Sequence, residues 1–243
     1  MALPDFYILG EMKCGSTSLW NYLRKHPQIV GGIKGVFGGK EVNHLNRANF
    51  NIKEYKKQFP QAKKGTVIVE GSVRYFVRSS VINRMKQYNS NAKFVLILRD
   101  PVDRTYSHYN HKALRNPEKT MNFERMIKKE IEYLKKNNFT KSNYADGIIW
   151  HSLYYIHLKR WLEEFNVEQF LVLKTKDLDR DPQGICSRIF KFVGVKDFPI
   201  HLFIRYLAGD YADRKLKPNT RKYLENFFSS WNDKFYKLTG INI

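Results

Sequence analysis

Four short apolar runs punctuate the chain: DFYILG (5–10), GTVIVEG (65–71), KFVLILRD (93–100) and EQFLVLKTKDL (168–178). Each is bounded by polar residues or glycine and has the length and the β-branched and aromatic content of a strand buried on both faces. Between them the spacing of apolar residues predicts helices over 16–26, 79–88, 101–115, 122–137, 151–165, 182–194 and 219–238. Strands alternating with helices predict an α/β fold, a central parallel β-sheet flanked by α-helices on both faces through right-handed crossovers. In such a sheet ligands sit beyond the carboxyl ends of the strands. The residues that follow each run therefore carry the functional information: GEMKCGSTS, EGSVRYF, RDPVDRTYS and KTKDLDRDP.

At 243 residues, with no composition break, internal repeat or low-complexity run, the chain reads as one domain spanning 1–243. Cys14 and Cys186 cannot make a disulfide framework and have no Cys/His cluster around them, so both are expected to be free thiols and no metal site is expected. The opening MALPDFYILG is a poor signal peptide, and no apolar stretch reaches the length of a membrane span. These features predict a soluble, cytoplasmic protein. The net charge of +20, from 43 Lys+Arg against 23 Asp+Glu, points to an anionic partner: nucleic acid, a phosphorylated cofactor, an acidic polysaccharide or a membrane surface. Solvated basic faces would give the same sum. Zinc-finger spacing and RNP-like stretches are absent, which counts against a nucleic-acid-binding protein.

The first run leads into Gly10-Glu11-Met12-Lys13-Cys14-Gly15-Ser16-Thr17-Ser18 and then an amphipathic helix. Strand, glycine loop and hydroxyl-rich helix start together supply free backbone N–H groups and a positive dipole end, which favour phosphate. The glycine pattern alone reads equally as a turn capped by Ser16 or Thr17. An ATP-binding P-loop would place lysine directly after the second glycine. Here Ser16 stands at that position and the lysine is Lys13, which argues against a kinase. After the third run, Arg99 and Ser107 offer a guanidinium fork and a helix hydroxyl suited to a terminal phosphate. Asp100-Pro101 is equally a plain N-cap and N1 pair.

KCGSTSL resembles the 5′-phosphosulfate loop of the sulfotransferases, which use 3′-phosphoadenosine 5′-phosphosulfate (PAPS) as donor and release 3′,5′-phosphoadenosine (PAP). LRDPVDRTYSHYNH is similar to that family's 3′-phosphate element. GIIWHSLYYIHLKRWLEEF (147–165), FLVLKTKDLDRDPQGICSRIFKFVGV (170–195) and LENFFSSWNDKFYKLTG (224–240) continue the likeness, which is closest to the heparan sulfate glucosaminyl type. The resemblance implies the sulfotransferase fold, a P-loop-like parallel sheet. It implies donor contacts from Lys13, Cys14, Gly15, Ser16, Thr17 and Ser18 at the 5′ end and from Arg99 and Ser107 at the 3′-phosphate. Arg214, Lys215 and Lys217 would follow from the family's basic loop near the C-terminus.

Sulfuryl transfer needs a base for the acceptor, positive charge for the departing phosphate and in-line positioning, and no metal. Lys13 is the candidate for neutralising the leaving oxygen. The family places a glutamate in the segment that reads GGKEVNHLN here, which makes Glu41 the candidate base and His44 an alternative base or positioning residue. The chain also departs from the family. His44 is displaced by one position, and Gly71 stands after Glu70 where the glucosaminyl enzymes have a lysine, with Arg74 a turn later. The expected acceptor is a saccharide, including anionic ones. A small-molecule metabolite is the second reading, and a P-loop-like nucleic-acid-binding protein a remote third.

Overall fold

A computed structural model describes residues 2–33, 36–61, 63–140, 147–206 and 215–243, without the side chains of Val36, Phe37 and Lys119. The chain divides into two compact units: Met1–Leu98 with Lys159–Leu207, and Arg99–Leu158 with Ala208–Ile243.

In chain order the elements are β1 (Phe6–Gly10), α1 (Ser16–Leu23), β2 (Ile29–Val30), α2 (Val36–Gly39), α3 (Ile52–Lys56), β3 (Val67–Glu70), α4 (Ser79–Tyr88) and β4 (Lys93–Leu98). Then come α5 (Pro101–Arg115), α6 (Phe123–Lys136), α7 (Tyr154–Leu162), β5 (Phe170–Lys174), α8 (Thr175–Arg180), α9 (Pro182–Val193) and α10 (Pro218–Thr239).

The first unit holds the whole sheet, in the order β2-β3-β1-β4-β5, with every pairing parallel. The expected α/β fold is therefore present. All five residues of β1 are buried, as sheet faces covered on both sides require. The strand order reverses at β1, the topological switch point at which such sheets bind ligands. Opposite β4 the β1 register shifts between Ile8 and Gly10. The extra residue bends the strand end and directs the chain into the loop ahead of α1. One apolar core joins Ile8, Leu19 and Leu23 to Val95, Ile97, Leu173, Ile189 and Phe190. On the β4 side Trp161 packs edge-on against Phe94, at 5.0 Å between centroids, and its Nε1–H donates to the Phe76 carbonyl at 2.9 Å.

The second unit is helical. Pro101 and Asp100 open α5 as the sequence predicts, the Asp100 carboxylate accepting from the Asp103 N–H at 2.8 Å. Arg104 is fully buried there, with its Nε donating to Ser152 Oγ at 2.6 Å and an Nη2–H to the Ile148 carbonyl. Buried Glu130 accepts from the Ile149 and Trp150 N–H groups at 3.0 and 2.8 Å. Both charges meet fixed donors or acceptors, which offsets much of the cost of desolvating them.

Two expectations are corrected in detail. The run 168–178 is strand only to Lys174, because α8 begins at Thr175 with Asp177 in its first turn, a favourable charge at a helix N-terminus. The helix expected over 151–165 is a 3₁₀ turn, Trp150–Ser152, followed by α7. The two-residue β2 is too short to show periodicity. The expected single domain stands beside a chain that forms two compact units by internal contact. Among the described residues no helix is long and apolar enough to cross a membrane.

Candidate functional site

The loop after β1 turns on two left-handed residues, Lys13 at φ 71° and Gly15 at φ 87°. Glycine accepts that conformation freely, whereas lysine does so rarely and at a cost of about 1 kcal/mol. Gly15, not Ser16 or Thr17, is the N-cap of α1, and no side chain caps the helix. The turn capped by a hydroxyl is thereby corrected. The first-turn N–H groups of α1 are left to whatever anion the loop receives.

Thr175 fastens this loop to the sheet. Its Oγ1 lies 2.7 Å from the Cys14 carbonyl oxygen and 3.0 Å from that of Leu98. Cys14 is fully buried and, like Cys186, is in no disulfide among the described residues. The loop hydroxyls divide by role. Ser16 is buried at the helix start, whereas Ser18 Oγ accepts from the Tyr206 N–H at 2.9 Å and so faces the chain that crosses α1. Thr17 is half-buried, and its carbonyl accepts from Asn21 Nδ2 at 2.8 Å.

The segment after α2 is pinned to the turn after β3. The Gly71 N–H donates to the Lys40 carbonyl at 2.9 Å, and the Asn43 N–H donates to Ser72 Oγ at 2.9 Å. The Leu45 N–H donates to Tyr75 OH at 3.0 Å. Glu41 is held in this frame, 17% exposed, with Oε1 2.9 Å from Lys40 Nζ and Oε2 accepting from Asn43 Nδ2 at 3.4 Å. A carboxylate so oriented and partly open can accept a proton from a bound hydroxyl. Lys40 itself is 1% exposed and also reaches Ser16 Oγ at 3.4 Å.

His44 sits apart from that arrangement, buried in an aromatic cluster. Its ring stacks on Tyr55 at 5.7 Å and meets Phe50 edge-on at 5.9 Å. Burial, helped by Arg47, holds its pKa below the ordinary value. The imidazole is therefore neutral at pH 7, and its ring packs against those of Tyr55 and Phe50.

Glu70, at the end of β3, is a buried acid that the sequence reading passed over. Its carboxylate accepts from Ser72 Oγ and Tyr55 OH. Burial pushes its pKa up to about 7 against the lowering effect of hydrogen bonds from Ser72, Tyr55 and Tyr75. The available signal was the EGS-x-x-Y spacing, in which a strand-end acid is followed by two hydroxyl donors. Arg74 is exposed.

In the second unit Arg99 precedes α5, with its carbonyl accepting from Tyr154 OH at 2.9 Å and its Nη2 3.8 Å from Asp103 Oδ2. That long pairing leaves the guanidinium only loosely engaged. Ser107 lies one helical turn beyond Asp103 on α5 and is buried. Asp103 is more firmly held by Arg221, at 2.6 Å. Lys215 is exposed, and Lys217 pairs with Glu124 at 3.3 Å. Arg214 lies outside the described residues.

The sequence family described as a sulfotransferase domain matches residues 3–206. The bifunctional heparan sulfate N-deacetylase/N-sulfotransferase 1 of Caenorhabditis elegans is 27% identical over an alignment covering 99% of this chain, which spans 30% of that protein's length. The heparan sulfate glucosamine 3-O-sulfotransferase 5 of Mus musculus is 26% identical, with 98% of this chain and 72% of that protein covered. A crystal structure of a sulfotransferase from Alicyclobacillus acidocaldarius superposes with a TM-score of 0.78 at 25% identity, covering 100% of this chain and 98% of that one. Mouse SULT7A1, solved in complex with PAP, shares the fold at a TM-score of 0.56 and 13% identity, with 95% and 85% covered.

Proposed function

Since the chain belongs to the sulfotransferase domain family, we propose that it moves a sulfuryl group from PAPS to a hydroxyl or amine of a saccharide acceptor. The observation that carries this reading is the start of α1, a helix N-terminus with no side-chain cap at the carboxyl end of the central strand. Backbone N–H groups there suit the 5′-phosphosulfate end of the donor. Lys13, Cys14, Gly15, Ser16 and Thr17 line that end. Ser18 supports the helix from its bond to Tyr206. Arg99 and Ser107 take the 3′-phosphate, for which the loosely paired guanidinium of Arg99 is suited.

In the transfer the bond between sulfur and the bridging phosphate oxygen breaks as a bond forms from sulfur to the acceptor oxygen. The electron pair leaves on the 5′-phosphate of PAP, where Lys13 neutralises it. The acceptor's proton passes to Glu41. Positioning and fixed charge supply most of the acceleration, as in phosphoryl transfer, and no metal is called on.

The saccharide acceptor rests on the glucosaminyl sulfotransferases among the relatives and on the net charge of +20, which suits an acidic glycan. The test incubates the protein with PAPS and a panel of glucosamine-containing oligosaccharides, with and without chelator, and follows PAP release and sulfated product by mass spectrometry. Chelator-insensitive sulfation of an oligosaccharide is expected. PAP-binding protein that sulfates small phenols or alcohols and no glycan would replace the acceptor. Preference for ATP with magnesium over PAP would overturn the donor.

A further inference from the structure

Lys40 is a lysine with almost no access to water, 1% exposed, placed against the first residue of α1. Two of its three N–H donors are assigned, one to Glu41 Oε1 at 2.9 Å and one to Ser16 Oγ at 3.4 Å. The path of its side chain is set by Gly71. A Cβ at position 71 would lie 2.8 Å from Lys40 Cγ, 3.3 Å from Lys40 Cε and 3.2 Å from the Trp20 ring. The Gly71 N–H also donates to the Lys40 carbonyl at 2.9 Å, so the two residues are apposed at backbone and side chain alike. The aliphatic stem of Lys40 thus lies over Gly71, in space that a side chain at 71 would need.

One ion pair with its sequence neighbour and one long hydrogen bond to Ser16 return only part of what desolvating an ammonium costs. The burial is explained when a further anion arrives beside Ser16. Burial lowers the Lys40 pKa and the Glu41 carboxylate opposes that shift, and a second anion would oppose it further.

We propose that Lys40 donates its remaining N–H to the sulfuryl group of a donor seated at the start of α1, and that residue 71 is glycine so that Lys40 can occupy this place. It supplies, from a different strand connection, the cation that the sequence lacks after Glu70, where Gly71 stands. The contact is to the moving group, so it distinguishes PAPS from PAP. The same ammonium touches Glu41, which couples the carboxylate that receives the acceptor proton to the group that the acceptor attacks.

The inference rests on the donor reading above, and the experiment separates the two. PAP and PAPS are titrated by calorimetry into wild type, Lys40→Met, Gly71→Ala and the double variant Lys40→Met/Gly71→Lys. Wild type is expected to bind both nucleotides. Lys40→Met is expected to lose PAPS affinity by about tenfold to a hundredfold, the loss of one charged hydrogen bond, with PAP affinity changed less than about threefold. Gly71→Ala keeps the lysine but pushes on its stem, and is expected to lower PAPS affinity in the same selective way. The double variant, which returns an ammonium by the other route, is expected to recover most of it. Equal losses for PAP and PAPS in the variants, or no loss, would overturn the role of Lys40 while leaving the donor assignment intact. Folded wild type that binds neither nucleotide would overturn the donor assignment itself. If Lys40→Met fails to fold, Gly71→Ala decides the matter by the same ratio of affinities.

Discussion

The Thr175 hydroxyl stands 2.7 Å from the carbonyl oxygen of Cys14, joining the first residue of α8 to the loop in front of α1 across 161 positions of sequence. Leu98, at the end of β4, shares the same hydroxyl at 3.0 Å. One side chain thus registers the phosphate-type loop against two strand ends. Thr175→Val keeps the shape and removes the hydroxyl. It is expected to cost about 1–2 kcal/mol of stability, because a buried carbonyl loses its donor, and to weaken PAP binding measured by calorimetry. Unchanged PAP affinity in a destabilised variant would mean that the loop holds its form without this tether.

Arg99 is expected to read the 3′-phosphate. Arg99→Ala should lose about 1.5–3 kcal/mol of PAP affinity while leaving the weaker binding of AMP, which has no 3′-phosphate, unchanged. Equal losses for both nucleotides would assign Arg99 to the start of α5 and not to the ligand.

Glu41→Gln retains the size of the side chain and removes its basicity. Sulfation is expected to slow by roughly a hundredfold or more, with PAP affinity within about twofold of wild type. His44→Asn, which disturbs the aromatic cluster around Tyr55 and Phe50, is expected to act through stability and to leave the pH profile of transfer in place. Reversal of these two results would exchange the base.

Glu70 makes stability depend on pH. Burial raises its pKa from an ordinary 4.5 to about 7 in the fold, so the native state binds the proton more tightly than the unfolded chain does. The stabilisation is full below the unfolded value and is lost as pH rises through about 7, where the buried carboxylate must ionise. The shift corresponds to roughly 3 kcal/mol across that window. Urea titrations between pH 4.5 and 8 should show this decline in wild type and a flatter profile in Glu70→Gln. An identical slope in both would place the titration elsewhere.

Strands β1, β3, β4 and β5 were legible because each lies in a continuous apolar run, and burial on both faces demands that composition. α5 was legible from Asp100-Pro101 and α6 from its amphipathic spacing, with Asn122 as its cap. The turn from β5 into α8 was not, because Lys174 and Thr175 carry no breaker between strand and helix. α3 was missed because five residues are too few to display a period, although Asn51 caps it by accepting from the Lys53 and Glu54 N–H groups.

The sequence by itself determined the alternation of strand and helix and hence a parallel sheet, the glycine loop at its first strand end and the residue types able to meet phosphate and sulfate. Those are properties of local order, written in runs of a few residues. Tertiary structure alone decided which charges share a place. It set Lys40 over Gly71 and beside Ser16, moved His44 into an aromatic cluster, and buried Glu70 among Tyr55, Ser72 and Tyr75. Lys40 lies 24 positions from Ser16 and is brought over Gly71 from another strand connection, so their meeting depends on strand order and on the space left by a missing side chain. Neither is encoded in the spacing of any one segment.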